Sequence, residues 1–251
     1  MKTEYISGGR GYDVPYIHSI HGQEKTVCVV VHGFGSSKKS ATATMLFNDL
    51  PPLGIGVAAF DFPSHGESGA DGEFFRISNC IADLAAVEAR ARTLAPDAEI
   101  VYFASSFGAY IALLYLAGLK QGNRRAFLRC PAVSMPRVAN QLLTPEMQTS
   151  LKVTGAFTLD KATYGYGRDL KLTQGFFDDL SGHDVYTLWR EGFARLCMIH
   201  GELDQTIPLG DAGSFAEMFN VPLTVVANGD HQLATPGVPK QVLKLAVEFF
   251  K

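Results

Sequence analysis

Two kinds of segment alternate along most of the chain. Short continuous apolar runs, rich in valine, isoleucine and alanine, end at a glycine or a small polar residue. Longer stretches follow them, in which apolar residues recur every three or four positions. Continuous apolar runs are typical of buried parallel strands, and the longer spacing is typical of helices that cover a sheet. The pattern therefore predicts an α/β fold in which helices flank a mostly parallel central sheet.

The same pattern predicts where the elements lie. Strands are expected at 27–32, 56–60, 100–104, 126–130, from 196 onward and at 223–226, and helices at 38–50, 78–94, 107–119 and 240–250. Residues 5–20 are expected to form a hairpin-like pair of edge strands around Gly8, Gly9 and Gly11. The length of 251 residues suits one α/β domain, so a single domain over 1–251 is expected.

The alternation breaks between residues 137 and 195. This segment is instead rich in aromatic residues, which are Phe157, Tyr164, Tyr166, Phe176, Phe177, Tyr186, Trp189 and Phe193. One interpretation is a small cap inserted after the sixth strand, whose aromatics line a substrate pocket. The other is a set of ordinary helices whose aromatics pack into the main core.

Composition narrows the class of protein. Apolar residues make up 47% of the chain and charged residues 19%, with a net charge of −3. That charge gives no support for a nucleic-acid partner or an anionic membrane surface. The N-terminus lacks the apolar core of a signal peptide, and the four cysteines are widely spaced. We therefore expect reduced cysteines, a cytoplasmic location, and neither a membrane partner nor a metal site.

A candidate nucleophile follows the apolar run at 100–104. Ser106 is followed two positions later by Gly108, where a helix-like segment begins. A serine becomes a strong nucleophile when a tight strand-to-helix turn aims it at a base. Such a turn needs small residues two positions before and after the serine, which are Ala104 and Gly108 here. With Ser105 at the centre both positions would be phenylalanines. The alternative for Ser106 is an ordinary helix N-cap.

Partners for Ser106 follow three other predicted strands. After residues 27–32, the backbone N–H of Phe34 is a candidate oxyanion donor, together with the N–H of Phe107. Asp204 follows the strand that begins at 196, and His231 follows the strand at 223–226. The order Ser, Asp, His predicts that His231 is the base and Asp204 its acid. His32, His65 and His200 adjoin glycines and are expected to bond loop backbone instead.

These segments together resemble the α/β-hydrolase superfamily, in its serine esterase, lipase and aminopeptidase-like group. The segments that carry the resemblance lie in the superfamily's order, at 32–35, 61–68, 104–108, 200–204 and 229–231. A further segment, 166–168, loosely resembles bacterial cinnamoyl (feruloyl) esterases. Two positions depart from the usual pattern, since Ala104 replaces the first glycine of the elbow and Ser64 replaces a glycine before His65.

The expected function is hydrolysis of a small-molecule carboxylic ester through an acyl-enzyme, with no cofactor. Aromatic residues of the cap, Tyr164, Tyr166, Phe176 and Trp189, are expected to line the pocket and to suit a small apolar or aromatic acyl group. A peptidase or a thioesterase uses the same machinery, and a non-catalytic receptor could use the same pocket. The sequence leaves these alternatives and the oligomeric state open.

Overall fold

The computed structural model describes residues 1–7 and 9–251. In chain order the elements are β1 (Glu4–Ser7), β2 (Asp13–His18), β3 (Thr26–Val31), α1 (Ala41–Asp49), β4 (Ile55–Phe60), α2 (Ile77–Leu94), β5 (Glu99–Ser105), α3 (Phe107–Leu119), β6 (Arg125–Arg129), α4 (Met135–Leu142), α5 (Pro145–Thr154), β7 (Ala156–Leu159), α6 (Lys161–Tyr164), β8 (Leu170–Thr173), α7 (Gln174–Ser181), α8 (Val185–Leu188), β9 (Arg195–Gly201), α9 (Leu209–Met218), β10 (Leu223–Val226) and α10 (Val238–Phe250). Gly8, which the sequence placed in the N-terminal hairpin, lies outside the described residues.

Among the described residues, eight strands form one sheet in the order β1-β2-β4-β3-β5-β6-β9-β10. The pairings of β1 with β2 and of β2 with β4 are antiparallel, and the others are parallel. The predicted mostly parallel sheet flanked by helices is therefore confirmed. The N-terminal strands pair as predicted, but only β1 lies at the edge, because β2 also bonds to β4.

Alternate side chains of each central strand enter two separate apolar layers. In β3, Val29 and Val31 join the layer that includes α2 and α3, whereas Cys28 and Val30 join the layer that includes α1 and α10. This follows from the two-residue period of a strand. Both faces are covered, which explains why the strands read as continuous apolar runs. The parallel arrangement also brings the ends of β3, β5, β6, β9 and β10 to one edge of the sheet.

The helix expected at 38–50 begins later, at Ala41. Its N-cap is Ser40, whose side chain accepts a hydrogen bond from the N–H of Ala43. The residues before it form a loop because Lys38 is buried, and its side chain and its N–H both donate to Asp61. A long-range charge pair therefore overrides the helical spacing at this end.

The segment between β6 and β9 contains α4 to α8 and the antiparallel hairpin of β7 and β8. It is more regular than its sequence suggests, and its first helix begins at Met135, just before the predicted boundary. Its buried residues, including Leu172 and Phe176, join the same apolar layer as α2 and α3. The segment thus packs onto the main fold.

Two expectations from composition concern the whole molecule. All four cysteines lie in the described part of the chain, and none of them forms a disulfide. Across residues 1–7 and 9–251, no helix is both long enough and apolar enough to span a membrane.

Candidate active site

Ser106 is the single residue that connects β5 to α3, and its backbone forms a strained turn. Its backbone has φ 51° and ψ −118°, a sparsely populated conformation for a residue with a side chain. The turn is held at both ends, because its N–H donates to the carbonyl of Arg129 over 2.9 Å and its carbonyl accepts from Ala109 over 3.0 Å. The turn therefore presents the side chain at the edge of the sheet.

The structure shows why position 108 requires a small residue. A Cβ at Gly108 would overlap the backbone carbonyls of Val31 and His32, so the start of α3 packs directly on the end of β3. Ala104 pairs with Val31 in the neighbouring strand and is completely buried. At position 108 the requirement for a small residue therefore comes from a close approach of two backbones.

The structure brings together the three residues that the sequence proposed as a triad. Ser106 Oγ lies 3.0 Å from Nε2 of His231, and Nδ1 of His231 lies 2.7 Å from Oδ2 of Asp204. An ionised carboxylate can only accept hydrogen bonds, so Nδ1 of His231 carries a proton and donates a hydrogen bond to Asp204. Nε2 is then free to accept from the Ser106 hydroxyl. This is the tautomer that a general base requires.

Asp204 is held by donors on both carboxylate oxygens. Oδ1 accepts from the N–H groups of Thr206 and Ile207 over 2.9 and 2.8 Å, while Oδ2 accepts from His231. Burial alone would raise the pKa of Asp204, but the hydrogen bonds from its histidine and backbone neighbours hold it well below its ordinary value. Asp204 therefore stays ionised and fixes the orientation of the His231 ring.

His200 is a second imidazole on the same carboxylate, which the sequence argument placed among residues that bond loop backbone. Its Nε2 does donate to the carbonyl of Ile207 over 2.9 Å, and it also lies 3.1 Å from Oδ2 of Asp204. His200 is completely buried, and its Nδ1 has no partner among the described residues. The spacing of four between His200 and Asp204, across the glycine turn after β9, was the available signal.

The two proposed oxyanion donors lie beside Ser106. The N–H groups of Phe34 and Phe107 have no acceptor within residues 1–7 and 9–251. Gly33 brings the first of them close, since a Cβ there would lie 3.3 Å from Cβ of Ser106. The rings of the two phenylalanines meet edge to face with centroids 6.0 Å apart, which fixes one loop against the other. Unpaired N–H groups beside a nucleophile can stabilise negative charge on an acyl oxygen.

Ser106 and His231 open into a cavity of about 410 Å³. Its lining includes three of the four aromatics predicted for the pocket, Tyr164, Tyr166 and Phe176. Trp189 is not brought to the cavity. It is buried against Phe193 and Phe215, on the side of α9, and so contributes to packing. The aromatic residues of the sequence could not be assigned to the cavity wall or to the packed core, because both environments favour large flat side chains.

Comparison with known proteins assigns the family. A family model described as serine aminopeptidase, S33, matches residues 22–173, which include the Phe34 loop and Ser106. The chain belongs to this family of α/β hydrolases. The matched range ends before Asp204 and His231, so those two rest on the geometry above. No curated protein matches the chain significantly in sequence.

Solved structures share the fold of this hydrolase over nearly its whole length. A protein from Agrobacterium vitis S4 named as a hydrolase has a TM-score of 0.86 at 21% identity and covers 100% of this chain and 99% of its own. Est1E from Butyrivibrio proteoclasticus, with bound ferulic acid, has a TM-score of 0.79 at 16% identity, covering 98% of each chain. An esterase from Exiguobacterium antarcticum has a TM-score of 0.69 at 14% identity, covering 98% and 99%. At these identities the likeness establishes the fold.

The segment between β6 and β9 of this hydrolase rests directly on the loop that carries Phe34. Gly35 has φ 71°, and a Cβ there would overlap the ring of Tyr166. Tyr166 also meets the ring of Phe34 edge to face at 5.7 Å and stacks on Tyr164 at 5.6 Å. The N–H of Gly167 donates to the carbonyl of Gly35 over 3.4 Å. The glycine after Phe34 is therefore needed both for its backbone conformation and for this ring.

Behind that loop lies a charged network that the sequence argument missed. The ammonium of Lys38 pairs with Asp61 and with Glu67, and the N–H of Glu67 donates to Asp61 over 2.8 Å. Lys38 and Asp61 are almost completely buried. The network ties the loop after β3 to the loop after β4. A lysine within a helical pattern gave no signal of burial, since such lysines are usually exposed.

Asp204 and His231 also belong to a cluster of three side chains that are able to bind a metal ion. Ligand atoms of Cys130, Asp204 and His231 lie within 4.8 Å of one another. Thiolate, carboxylate and imidazole are ligands that zinc accepts. A metal there would use Asp204 and His231 as ligands and would therefore compete with the hydrogen bond that orients the ring. The expectation of a metal-free site stays a prediction.

Proposed function

We propose that this hydrolase cleaves carboxylic esters through a covalent acyl-enzyme on Ser106. The observation that carries the proposal is the continuous hydrogen-bonded chain from Ser106 Oγ to His231 and on to Asp204, at 3.0 and 2.7 Å. Ser106 and His231 line a cavity, and Ser106 lies beside two unpaired N–H groups. A nucleophile, a base, an orienting acid and oxyanion donors are the parts that acyl transfer needs.

In the first half of the proposed reaction, Ser106 Oγ attacks the acyl carbonyl carbon while Nε2 of His231 takes the hydroxyl proton. The N–H groups of Phe34 and Phe107 donate to the carbonyl oxygen as it becomes negative. Asp204 stabilises the positive charge on the imidazolium. When the tetrahedral intermediate collapses, the bond to the alcohol oxygen breaks, and His231 gives its proton to the departing alcohol.

In the second half, water enters the place of the alcohol. His231 takes a proton from the water, whose oxygen attacks the acyl carbon, and the same two N–H groups stabilise the oxyanion. Collapse breaks the bond to Ser106 Oγ, which recovers its proton from His231. The products are a carboxylic acid and an alcohol, and no redox change or cofactor enters the proposal.

The cavity favours a small apolar or aromatic acyl group. Besides its aromatics, the inserted segment lines the cavity with apolar side chains that include Met135, Val138, Leu142, Met147 and Leu172. Apolar walls of this kind bind flat or hydrocarbon groups without leaving buried polar atoms unpaired. Within this proposal residues 137–195 act as a cap, and a cinnamoyl-type ester is a specific candidate. The shared fold with Est1E, which binds ferulic acid, supports testing it.

A second candidate is an aminopeptidase, because the matching family is described as serine aminopeptidase. The same residues would then cleave an amide. A thioesterase and a non-catalytic receptor are the remaining alternatives. We also keep a cytoplasmic location within the proposal, since all four cysteines, within the described residues, are free thiols.

One panel separates these functions. The purified protein and its Ser106→Ala variant are assayed with p-nitrophenyl esters of acetate, butyrate and cinnamate, with aminoacyl p-nitroanilides, and with acyl-thioesters. The proposal predicts that ester turnover exceeds amide turnover and disappears in the variant. Turnover confined to the anilides would support the aminopeptidase instead. Tight binding of an ester without turnover would support the receptor.

A further inference from the structure

Arg129 at the end of β6 is a buried cation in the wall of the cavity. Arg129 is 9% exposed and is among the residues that line the cavity with Ser106 and His231. Its Nε donates to Ser105 Oγ over 3.1 Å, and its Nη1 donates to the carbonyls of His231 and Gln232 over 3.2 and 2.8 Å. Within the described residues, Nη2 has no acceptor.

The other arginines of this strand region are neutralised, and Arg129 is not. Arg124 pairs with Glu88 at 2.7 Å, and Arg125 pairs with both carboxylate oxygens of Glu99 at 2.9 and 2.6 Å. Among the described residues, no carboxylate lies within 4.0 Å of Arg129. Burial lowers the pKa of Arg129, while Asp204 and Asp230 attract it over longer distances. A guanidinium still remains charged, so this wall of the cavity is positive.

The surroundings of Arg129 form a part of the cavity that differs from the apolar part beneath the inserted segment. Strand alternation places Ser105 and Arg129 on the α1 face of the sheet, two residues beyond Phe103 and Phe127. The same cavity is lined there by Ser36, Ser40, Thr42 and Gln232. The start of α1 also reaches it, and the first two N–H groups of that helix, at residues 41 and 42, have no acceptor in the described part of the chain.

We propose that this polar end of the cavity, with Arg129 at its centre, binds a carboxylate carried by the ester substrate. The inference rests on the proposed esterase function and narrows its substrate class to anionic esters. A guanidinium with free N–H groups recognises a carboxylate through charge-assisted hydrogen bonds, and a helix N-terminus adds favourable dipoles. A bound carboxylate would also supply the counter-charge that the protein does not provide. The apolar part of the cavity then holds the uncharged side of the substrate.

Three esters of similar size test the proposal and locate the charge. Ethyl butyrate is neutral, monoethyl succinate carries a carboxylate on its acyl side, and butyryloxyacetate carries one on its alcohol side. We expect one anionic ester to have a higher kcat/KM than ethyl butyrate, by about ten- to a hundredfold, as charge-assisted hydrogen bonds allow. Whichever anionic ester is preferred identifies the side of the substrate that faces Arg129.

Variants separate recognition of charge from support of the loop. Because Arg129 also bonds the carbonyl of His231, Arg129→Gln can slow all esters; the ratio of anionic to neutral kcat/KM cancels that common loss. We expect the ratio to fall at least tenfold in Arg129→Gln, mainly through KM, and to be partly kept in Arg129→Lys. Arg125→Gln, which removes a buried arginine remote from the cavity, is the matched control and should leave the ratio unchanged.

Two outcomes would overturn the proposal without touching ester hydrolysis itself. One is a wild-type protein that hydrolyses ethyl butyrate with a kcat/KM equal to or above that of both anionic esters, and the other is a ratio that survives Arg129→Gln while both rates fall together. If the wild type hydrolyses none of the three esters and none of the p-nitrophenyl esters, the esterase proposal fails instead. The carboxylate site is then measured by calorimetry in Ser106→Ala, where monoethyl succinate or butyryloxyacetate should bind at least tenfold more tightly than ethyl butyrate. Equal affinities there would reject it.

Discussion

Two buried aspartates lie at the same edge of the sheet, Asp61 just after β4 and Asp204 in the loop after β9. Both accept backbone N–H groups as well as charged or polar side chains. Their side-chain partners differ, since Asp61 pairs with the ammonium of Lys38 and Asp204 is bonded by the imidazoles of His231 and His200. One region is therefore an ion-pair network of Asp61, Lys38 and Glu67, and the other ends in a ring that reaches Ser106.

The difference teaches what each region can do. A buried lysine–aspartate pair holds its charges in place, and breaking it would leave an uncompensated charge in the interior. It suits a fixed connection between loops, here the loops after β3 and β4. An imidazole between a carboxylate and a hydroxyl can take and return a proton while the carboxylate stays ionised. Similar burial and backbone bonding thus support a structural pair at Asp61 and a proposed proton-transfer pair at Asp204.

The largest effect that would sharpen this contrast is expected for Asp204→Asn. An asparagine would no longer favour the proton on Nδ1 of His231, so kcat should fall by about 10⁴-fold, as in the serine-protease case. Steady-state kinetics with a neutral ester, below the melting temperature of the variant, measures it. A loss of less than tenfold would mean that another carboxylate orients His231.

The pH dependence tests whether an imidazole, rather than either aspartate, controls the rate. The mechanism needs neutral His231, so kcat/KM should rise with pH through one ionisation, with about a tenfold loss for each pH unit below it. Burial lowers the pKa of His32, and it lowers that of His65 to about 3, so both rings lose their proton below the ordinary histidine range. A flat profile between pH 5 and pH 8, or one with two steps, would disagree with this account.

The fall of the rate at low pH must be distinguished from unfolding of the protein. Because the folded-state pKa of Asp204 is lowered, its contribution to stability is complete above its ordinary pKa of about 3.9 and is lost only as the pH falls towards the lower folded value. Thermal unfolding at each pH is therefore the control. The rate should decline at pH values where the melting temperature is still constant.

Asp61→Asn is the matched partner of Asp204→Asn and should affect mainly stability. Removing one member of a buried ion pair costs about 3–5 kcal/mol, which corresponds to a fall in melting temperature of roughly 6–20 °C for a chain of this size. Below that temperature kcat should stay within about tenfold of the wild type, since Asp61 does not touch Ser106 or His231. A 10³-fold loss of kcat in a folded Asp61→Asn protein would erase the distinction between the two regions.

The smallest predicted effect concerns the loop that the Asp61 network supports. Tyr166→Ala removes the ring over Gly35 and should lower kcat several-fold, because it loosens the Phe34 N–H without deleting it. Deleting a donor outright costs about 10²–10³-fold in comparable cases. Tyr164→Ala, which removes the stacked but more exposed ring, is the control and should change kcat less. Equal losses in both would assign Tyr166 to general packing.

The candidate triad residues, which the structure brings together, lie at strand ends. Ser106, Asp204 and His231 each follow an apolar run, and parallel strands bring such positions to one edge. The surroundings of Lys38 and His200 were harder to predict from the sequence. They depend on contacts with residues distant in the chain for Lys38 and on a glycine turn for His200. The prediction that Trp189 lines the cavity was wrong for a related reason. In the sequence, an aromatic residue of a cavity wall cannot be told from one of the core.

Covalent labelling tests the central claim most directly. The protein is treated with a fluorophosphonate, digested, and analysed by mass spectrometry, alongside Ser105→Ala and Ser106→Ala. We predict a single adduct on Ser106, present in the wild type and in Ser105→Ala and absent in Ser106→Ala, with labelling that slows when His231 is replaced by glutamine. An adduct on Ser105, or labelling that persists in a folded Ser106→Ala protein, would contradict the assignment of Ser106 as the nucleophile.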